Sequence, residues 1–298
     1  MLQKANPKND HIQVYIKDKL YPRSQAKVSV FDSTVQGGDA VWEGLRVYPQ
    51  GVVCLDKHLT RLQQSAKTLA FTDIPSKAEI KKAIRLTLDA NAMDDNTHIR
   101  LTLSRGEKIT SGMDPRLNQS GSCLIVLAEW KPLVYDNNSG ITVLSTSQRR
   151  NAPQFLDSKI HHNNLLNNII AKIQANVAGK DAGLMLDDRG FVAELNGSNV
   201  FMIKQGKVYT PFANACLPGI TRDTVMQLCK DHGIQLIEAD LSLSEFMNAE
   251  GVFATGTMGE LTPIVEIDGR EISRDSVLMD QVLKLFKNNV RSFCEPLT

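Results

Sequence analysis

Four short stretches hold most of the side chains that could do chemistry. The first is SKIHHNNLLNN, residues 158–168, in which Lys159 is followed by His161, His162 and two asparagine pairs. A lysine amine can form an imine with a carbonyl compound, and an imidazole cannot. The run leads into an apolar helical pattern (Leu165, Leu166, Ile169, Ile170, Ile173), which predicts a helix from about 160 to 178. Neighbouring histidines on a helix point about 100° apart and cannot share one ion. They read as lining or hydrogen-bonding residues, and no metal is implied.

The second stretch is GFVAELNGSNVFMIK, residues 190–204, where Glu194 sits between two apolar runs. A carboxylate there either lies at a rim or pairs with a buried cation. The third is LPGITRDTVMQLCKDHG, residues 217–233, a Pro-Gly turn leading into a helix. Free N–H groups and the positive end of the helix dipole favour a phosphate at such a start. The fourth is TGTMGE, residues 255–260, whose glycines and threonines expose donors at a strand end. No P-loop motif accompanies them.

Singly, each stretch has an ordinary structural explanation: a solvated lysine, a rim carboxylate, a capped helix, a tight turn. Together they match what pyridoxal 5'-phosphate asks of a protein: a lysine for the Schiff base, a carboxylate for the pyridinium nitrogen, donors for the phosphate, and a pocket. Lys159, Glu194 and the two donor loops occur in that order.

The segments VWEGLRVY, HLTRLQQSAK, ELNGSNVF, LPGITRDTV and TGTMGELTP resemble the motifs of class IV (fold-type IV) pyridoxal-phosphate enzymes, in family order, from roughly residue 25 to the end. That class holds branched-chain and D-amino-acid aminotransferases and aminodeoxychorismate lyase. The resemblance implies a two-domain α+β fold of the D-amino-acid aminotransferase type. It implies that Lys159 carries the cofactor, that Glu194 pairs with its ring nitrogen, and that Arg61, Ile220, Thr221 and Thr257 hold its phosphate. Trp42, Arg46, Arg100, Trp130 and Met258 would line the substrate side.

The likeness is to the branched-chain type. It implies transamination between a branched-chain or other hydrophobic L-amino acid and 2-oxoglutarate, in a homodimer. D-amino-acid transamination, the lyase reaction and a non-catalytic member that retains cofactor or phosphate binding are the alternatives. One departure follows Lys159: the family's ring-contacting tyrosine is replaced by Asn164 or Leu165. Aligning LLNNIIA on the family helix also sets the lysine one or two residues early, as a one-residue insertion would.

The elements that must position these residues read as mixed α+β. The chain has 298 residues, 42% hydrophobic, long enough for two domains. Strand-like segments and two helices (starting at Asp56, and 77–92) fill residues 1–130, a small domain. KPLVYDNNSG, 131–140, reads as a linker. Residues 141–298 read as a larger α+β domain carrying the lysine, with helices near 221–232 and 275–293. With 34 basic and 33 acidic residues, net charge +1, nothing points to a nucleic-acid partner. Five scattered cysteines suit a reducing compartment. No signal peptide or membrane-spanning run is visible, so the expected location is cytoplasmic.

Overall fold

The structure, a computed structural model, describes residues 5–297. The chain divides into two compact units. The first takes the residues up to Pro132, the short segment Ile160–Asn164, and the residues from Arg291 onward. The second takes Leu133–Lys159 and Leu165–Val290. The break at Leu133 falls inside the 131–140 stretch, but 141–298 is not one uninterrupted unit: the residues straight after Lys159 and the C-terminal residues group with the first.

The first unit is built on a sheet of β1 (Gln13–Ile16), β2 (Lys19–Pro22), β3 (Ala40–Tyr48), β4 (Gly51–Val53), β5 (Thr97–Ser104), β6 (Cys123–Trp130) and the short strand Cys294–Glu295. Its order is Cys294–Glu295, β4, β3, β5, β6, β1, β2, and neighbouring strands run antiparallel. Alternation places Val41, Leu45, Val47, Ile99, Leu101, Leu103, Leu124, Val126 and Ala128 on the core side. Helices α1 (Ser33–Gly37), α2 (Leu55–Thr68) and α3 (Lys77–Ala90) accompany the sheet. Leu55, Leu59, Leu62 and Ala66 of α2, and Ile80, Ala83, Ile84 and Leu88 of α3, bury their stripes in that core. A capping box fixes the start of α3, with Glu79 N donating to Ser76 Oγ and Ser76 N to Glu79 Oε2. Glu43 interrupts the apolar series between Val41 and Leu45 on the core side of β3 and is fully buried.

The second unit has β7 (Ile141–Ser145), α4 (Leu166–Val177), β8 (Ala182–Leu186), β9 (Val192–Leu195), β10 (Asn199–Lys204), β11 (Lys207–Pro211), α5 (Ile220–Asp231), β12 (Leu236–Ala239), α6 (Leu243–Met247), β13 (Gly251–Gly256), β14 (Glu260–Ile267), β15 (Arg270–Glu271) and α7 (Val277–Asn289). Its sheet runs β12, β11, β10, β13, β14, β7, β8, β9, with β15 on β14. It is mixed. β7–β8 and β11–β12 are parallel, and each pair is joined through a helix, α4 and α5 respectively, as a parallel connection requires. The core holds Ile141, Val143, Leu184, Leu195, Val200, Met202, Phe246 and Ile264. Residues 133–140 are not a free linker: Val134 N donates to Met258 O at 3.0 Å, and Asn137 Nδ2 to Gly259 O at 3.0 Å.

One expected element is corrected. The helix after Lys159 begins at Leu166, not near 160. Residues 160–164 instead run beside the start of β3. Trp42 N donates to His161 O at 2.9 Å, Asn163 N donates to Ala40 O at 2.8 Å, and His162 bridges Val41. β4 pairs only with Val47 and Tyr48 of β3, so this part of the strand edge is open to pairing. Those inter-strand bonds replace the first helical turns, and the argument from helical spacing of the two histidines no longer applies.

Candidate active site

In the second unit, β9 carries Glu194 into a buried polar cluster. Its Oε1 accepts from Arg150 Nε at 2.6 Å, and its Oε2 from Asn199 Nδ2 at 3.2 Å. Asn199 Nδ2 also donates to Leu217 O at 2.9 Å, in the turn before α5. Arg150 Nη1 donates to Asn167 Oδ1 at 3.0 Å in the first turn of α4. The buried cation that Glu194 calls for is thus Arg150, supplied by the loop after β7. A carboxylate offers about four lone-pair sites, so Glu194 can accept from several donors at once.

Lys159 lies in a turn whose backbone is held by its own N–H donating to Asp157 Oδ1 at 2.9 Å. Ser158 before it is buried, with Oγ donating to Asn151 O at 2.5 Å, and the Lys159 side chain is exposed. Cys216, in the turn before α5, is buried. Burial pushes its thiol up to about 12, Glu194 adds to the rise, and the charges of Arg222, Arg150 and Lys159 oppose it.

The two donor loops border this cluster. α5 begins at Ile220 with Gly219 as its N-cap and no side-chain cap, which leaves first-turn N–H groups to another acceptor. A Cβ at Gly219 would stand 2.0 Å from Asn199 Oδ1, so the close approach of this turn to Asn199 requires glycine. Thr257 and Met258 lie in the turn between β13 and β14, and Met258 O is the acceptor for Val134 N. At the end of β13, Thr255 pairs in register with Asn199, and its buried Oγ1 has no hydrogen-bond partner among the described residues.

The remaining expected residues belong to the first unit. Arg61 on α2 grips Glu43 with both prongs, Nε to Oε1 and Nη2 to Oε2, each at 2.7 Å. Arg100 on β5 donates to Asn163 Oδ1 at 2.6 Å and lies 3.4 Å over the Trp42 ring. Burial lowers its guanidinium toward about 10, against the charge of Glu43, so it stays a cation at neutral pH. Trp42 Nε1 donates to His162 O at 3.1 Å. Arg46 is buried and donates to Lys131 O at 2.6 Å, a role inside the sheet, and Trp130 is fastened by Asn9 through both N and O.

Sequence reasoning missed Arg150 and Asn199 around Glu194, and His58 and Glu43 around Arg61. The signal was faint but present: Glu43 is a charge in the middle of an apolar strand, and the loop after β7 carries the pair Arg149-Arg150.

Comparisons with known proteins give the family. The family model for amino-transferase class IV matches residues 40–267. The chain belongs to the class IV aminotransferases. It is 57% identical over 271 residues to branched-chain-amino-acid aminotransferase-like protein 2 of Arabidopsis thaliana, a match covering 91% of this chain and 48% of that protein. It is 34% identical over 269 residues to the branched-chain-amino-acid aminotransferase of Pseudomonas aeruginosa, covering 87% of this chain and 86% of that one. The chain spans about half the length of the Arabidopsis relative. Among solved structures, it superposes on the branched-chain aminotransferase of the thermophilic archaeon Thermoproteus uzoniensis with norvaline, with a TM-score of 0.85, at 28% identity and 96% coverage of each chain. The class IV fold is thus the two-unit α+β arrangement described above.

Proposed function

We propose that this class IV aminotransferase binds pyridoxal 5'-phosphate and transaminates a branched-chain or other hydrophobic L-amino acid with 2-oxoglutarate, as a homodimer. The observation that carries the reading is the buried Glu194, held by Arg150 and Asn199 beside the uncapped start of α5. The residues present fit the cofactor. The uncapped start of α5 and the orphaned Thr255 hydroxyl are polar groups beside a fixed carboxylate.

When bound, the cofactor supplies an electron-withdrawing ring that stabilises negative charge at the substrate α-carbon. The chain does the rest. Lys159 would carry the cofactor, and its Nζ would take the proton from the substrate α-carbon. Glu194, oriented by Arg150 and Asn199, would hold the proton on the ring nitrogen. Ile220 and Thr221 at the start of α5, with Thr257, would hold the phosphate. Arg100 and Trp42 present a cation and an apolar face to the substrate, which suits a carboxylate attached to a hydrocarbon side chain. The exposed apolar stripe of α4 supports self-association.

The test is the absorption spectrum of the purified protein, before and after adding leucine, with Lys159→Ala beside it. A lysine-bound cofactor band in the wild type, bleached by leucine and absent from the variant, is the expected result. Product formation from leucine and 2-oxoglutarate, but not from D-alanine and 2-oxoglutarate, is expected with it. Turnover of the D-isomer alone overturns the substrate assignment, and pyruvate release without an acceptor indicates a lyase.

A further inference from the structure

Residues from Arg291 onward group with the first unit, and the strand Cys294–Glu295 forms the edge of its sheet. Cys294 and Glu295 pair antiparallel with Val53 and Val52 of β4. Cys54 N donates to Phe293 O at 2.8 Å, and Asp56 N donates to Glu295 Oε2 at 3.0 Å. Cys54 is the N-cap of α2 and makes no side-chain cap bond, so Glu295 supplies an acceptor that the helix start needs. A Cβ at Gly51 would stand 2.2 Å from Glu295 O, so this close approach requires the glycine, whose φ is +126°. Arg85 donates to Leu297 O, and Leu297 packs against the core. These residues form a strap across β4 and the start of α2.

Two thiols stand where the strap begins. Cys54 is buried and Cys294 is half-buried. The Cys54–Phe293 bond flanks the Val53–Cys294 pair rather than joining it, the arrangement in which paired Cα atoms lie about 4.5 Å apart. Cys54 is one step of about 3.8 Å further on, across the direction of the pair, which sets its Cα about 6 Å from that of Cys294. A disulfide spans Cα atoms about 4.4–6.8 Å apart. In a regular strand Cys54 would point away from the face that Val53 and Cys294 share. Its left-handed φ of 47° breaks that alternation. Burial pushes the Cys294 thiol up to about 11, charge on Cys54 adds to the rise and Arg291 opposes it, so the two sulfurs lie within electrostatic reach of each other.

We propose that Cys54 and Cys294 form a reversible disulfide that locks the strap onto β4 and the start of α2 when a low-molecular-weight disulfide, such as oxidised glutathione, is in excess. The thiolate of Cys294, the less buried of the two, attacks one glutathione sulfur. That S–S bond breaks, and one glutathione leaves as its thiolate. The Cys54 thiolate then attacks the Cys294 sulfur, and the second glutathione leaves in the same way. Each cysteine gives up one proton, the cysteine pair is oxidised, and one glutathione disulfide is reduced to two thiols. The lock needs neither cofactor nor substrate. It closes most of the chain into one loop, and so acts mainly by restricting the unfolded chain.

The test is a thiol map of the whole chain. The protein is incubated with oxidised glutathione at about pH 9, where more thiol is ionised, then unfolded, alkylated and digested for mass measurement. Two of the five cysteines should escape alkylation, the peptides holding residues 54 and 294 should be joined, and dithiothreitol should part them. The urea midpoint of the oxidised chain should lie above that of the reduced chain. Cys54→Ser and Cys294→Ser should each remove both the link and the rise. If Cys54→Ser fails to fold, Cys294→Ser and the wild-type map still decide the outcome. Glutathione retained on Cys294 with Cys54 alkylated overturns the proposal. So does a link between any other two cysteines, or a map in which all five are alkylated.

Discussion

Arg150 Nε stands 2.6 Å from Glu194 Oε1, and both side chains are 6% exposed. A pair this buried is weak evidence for stability as a pair, but breaking it strands a charge. Arg150→Met is expected to destabilise the protein by about 3–5 kcal/mol in chemical denaturation. Arg150→Met combined with Glu194→Leu should recover much of that loss, because no charge is left behind. A loss below about 1 kcal/mol in the single variant, the range of exposed pairs, would mean that Arg150 does not carry the compensation.

Gly219 makes a second, steric prediction. A Cβ there would meet Asn199 Oδ1 at 2.0 Å, and Asn199 is the side chain that braces Glu194 and the turn before α5. Gly219→Ala should cost about 1–3 kcal/mol, as overpacking does, and weaken cofactor retention in dialysis. Gly37→Ala, where a Cβ meets nothing within 4 Å, is the control and should stay within about 0.5 kcal/mol of wild type. Equal melting temperatures for the two variants would refute the close approach.

The buried histidines set an acid limit on stability. Burial lowers His98 from 6.5 to about 3, with Lys131, Arg46 and Arg100 adding to the shift, and lowers His161 from 6.5 to about 4. Below pH 6.5 the unfolded chain takes up protons that these folded rings refuse. Their contribution is therefore present above pH 6.5 and lost as pH falls toward the folded values. Each histidine adds a slope of about 1.4 kcal/mol per pH unit across its window. Glu43, held low, acts in the same direction: its contribution is present above 4.5 and lost as acid titrates it. Urea midpoints measured from pH 7 to pH 4 should fall steadily, and His98→Asn should flatten the curve. An unchanged slope in that variant would contradict the assignment.

Much of this arrangement can be read in the one-dimensional pattern, and the failures have physical causes. Apolar residues at helical spacing mark α2, α3 and α7, and Gly233 marks the end of α5, because each signal lies within a few residues of what it controls. Periodicity misplaces the start of α4 because the chain at 160–164 obeys strand pairing with Ala40 and Trp42, more than a hundred residues away. Glu194 is conspicuous in its strand, but its partner Arg150 is 44 positions distant and lies in a loop with no periodicity to mark it. Glu43 is conspicuous for the same reason as Glu194. Its donors come from α2 and from the histidine run, a combination visible only after folding. The motifs locate the chemistry, and the side chains that hold those motifs in place are supplied by tertiary contact.

The last prediction concerns α4, whose Leu166, Ile169, Ile170, Ile173 and Val177 are 41–85% exposed, while Ala171 and Ala175 on its inner side are buried. The spacing puts all five large side chains on one face of the helix. Soluble monomers rarely display an apolar face of this kind, and a two-fold axis can cover it by packing the stripe against its own copy. In such an interface a charge added to the stripe is buried twice, once from each copy. Ile169→Glu combined with Ile173→Glu should therefore halve the mass seen by light scattering at micromolar protein. It should also lower the melting temperature in a concentration-dependent way, because dimerisation stabilises by mass action. If the variant keeps the wild-type mass, the stripe is not where two copies meet.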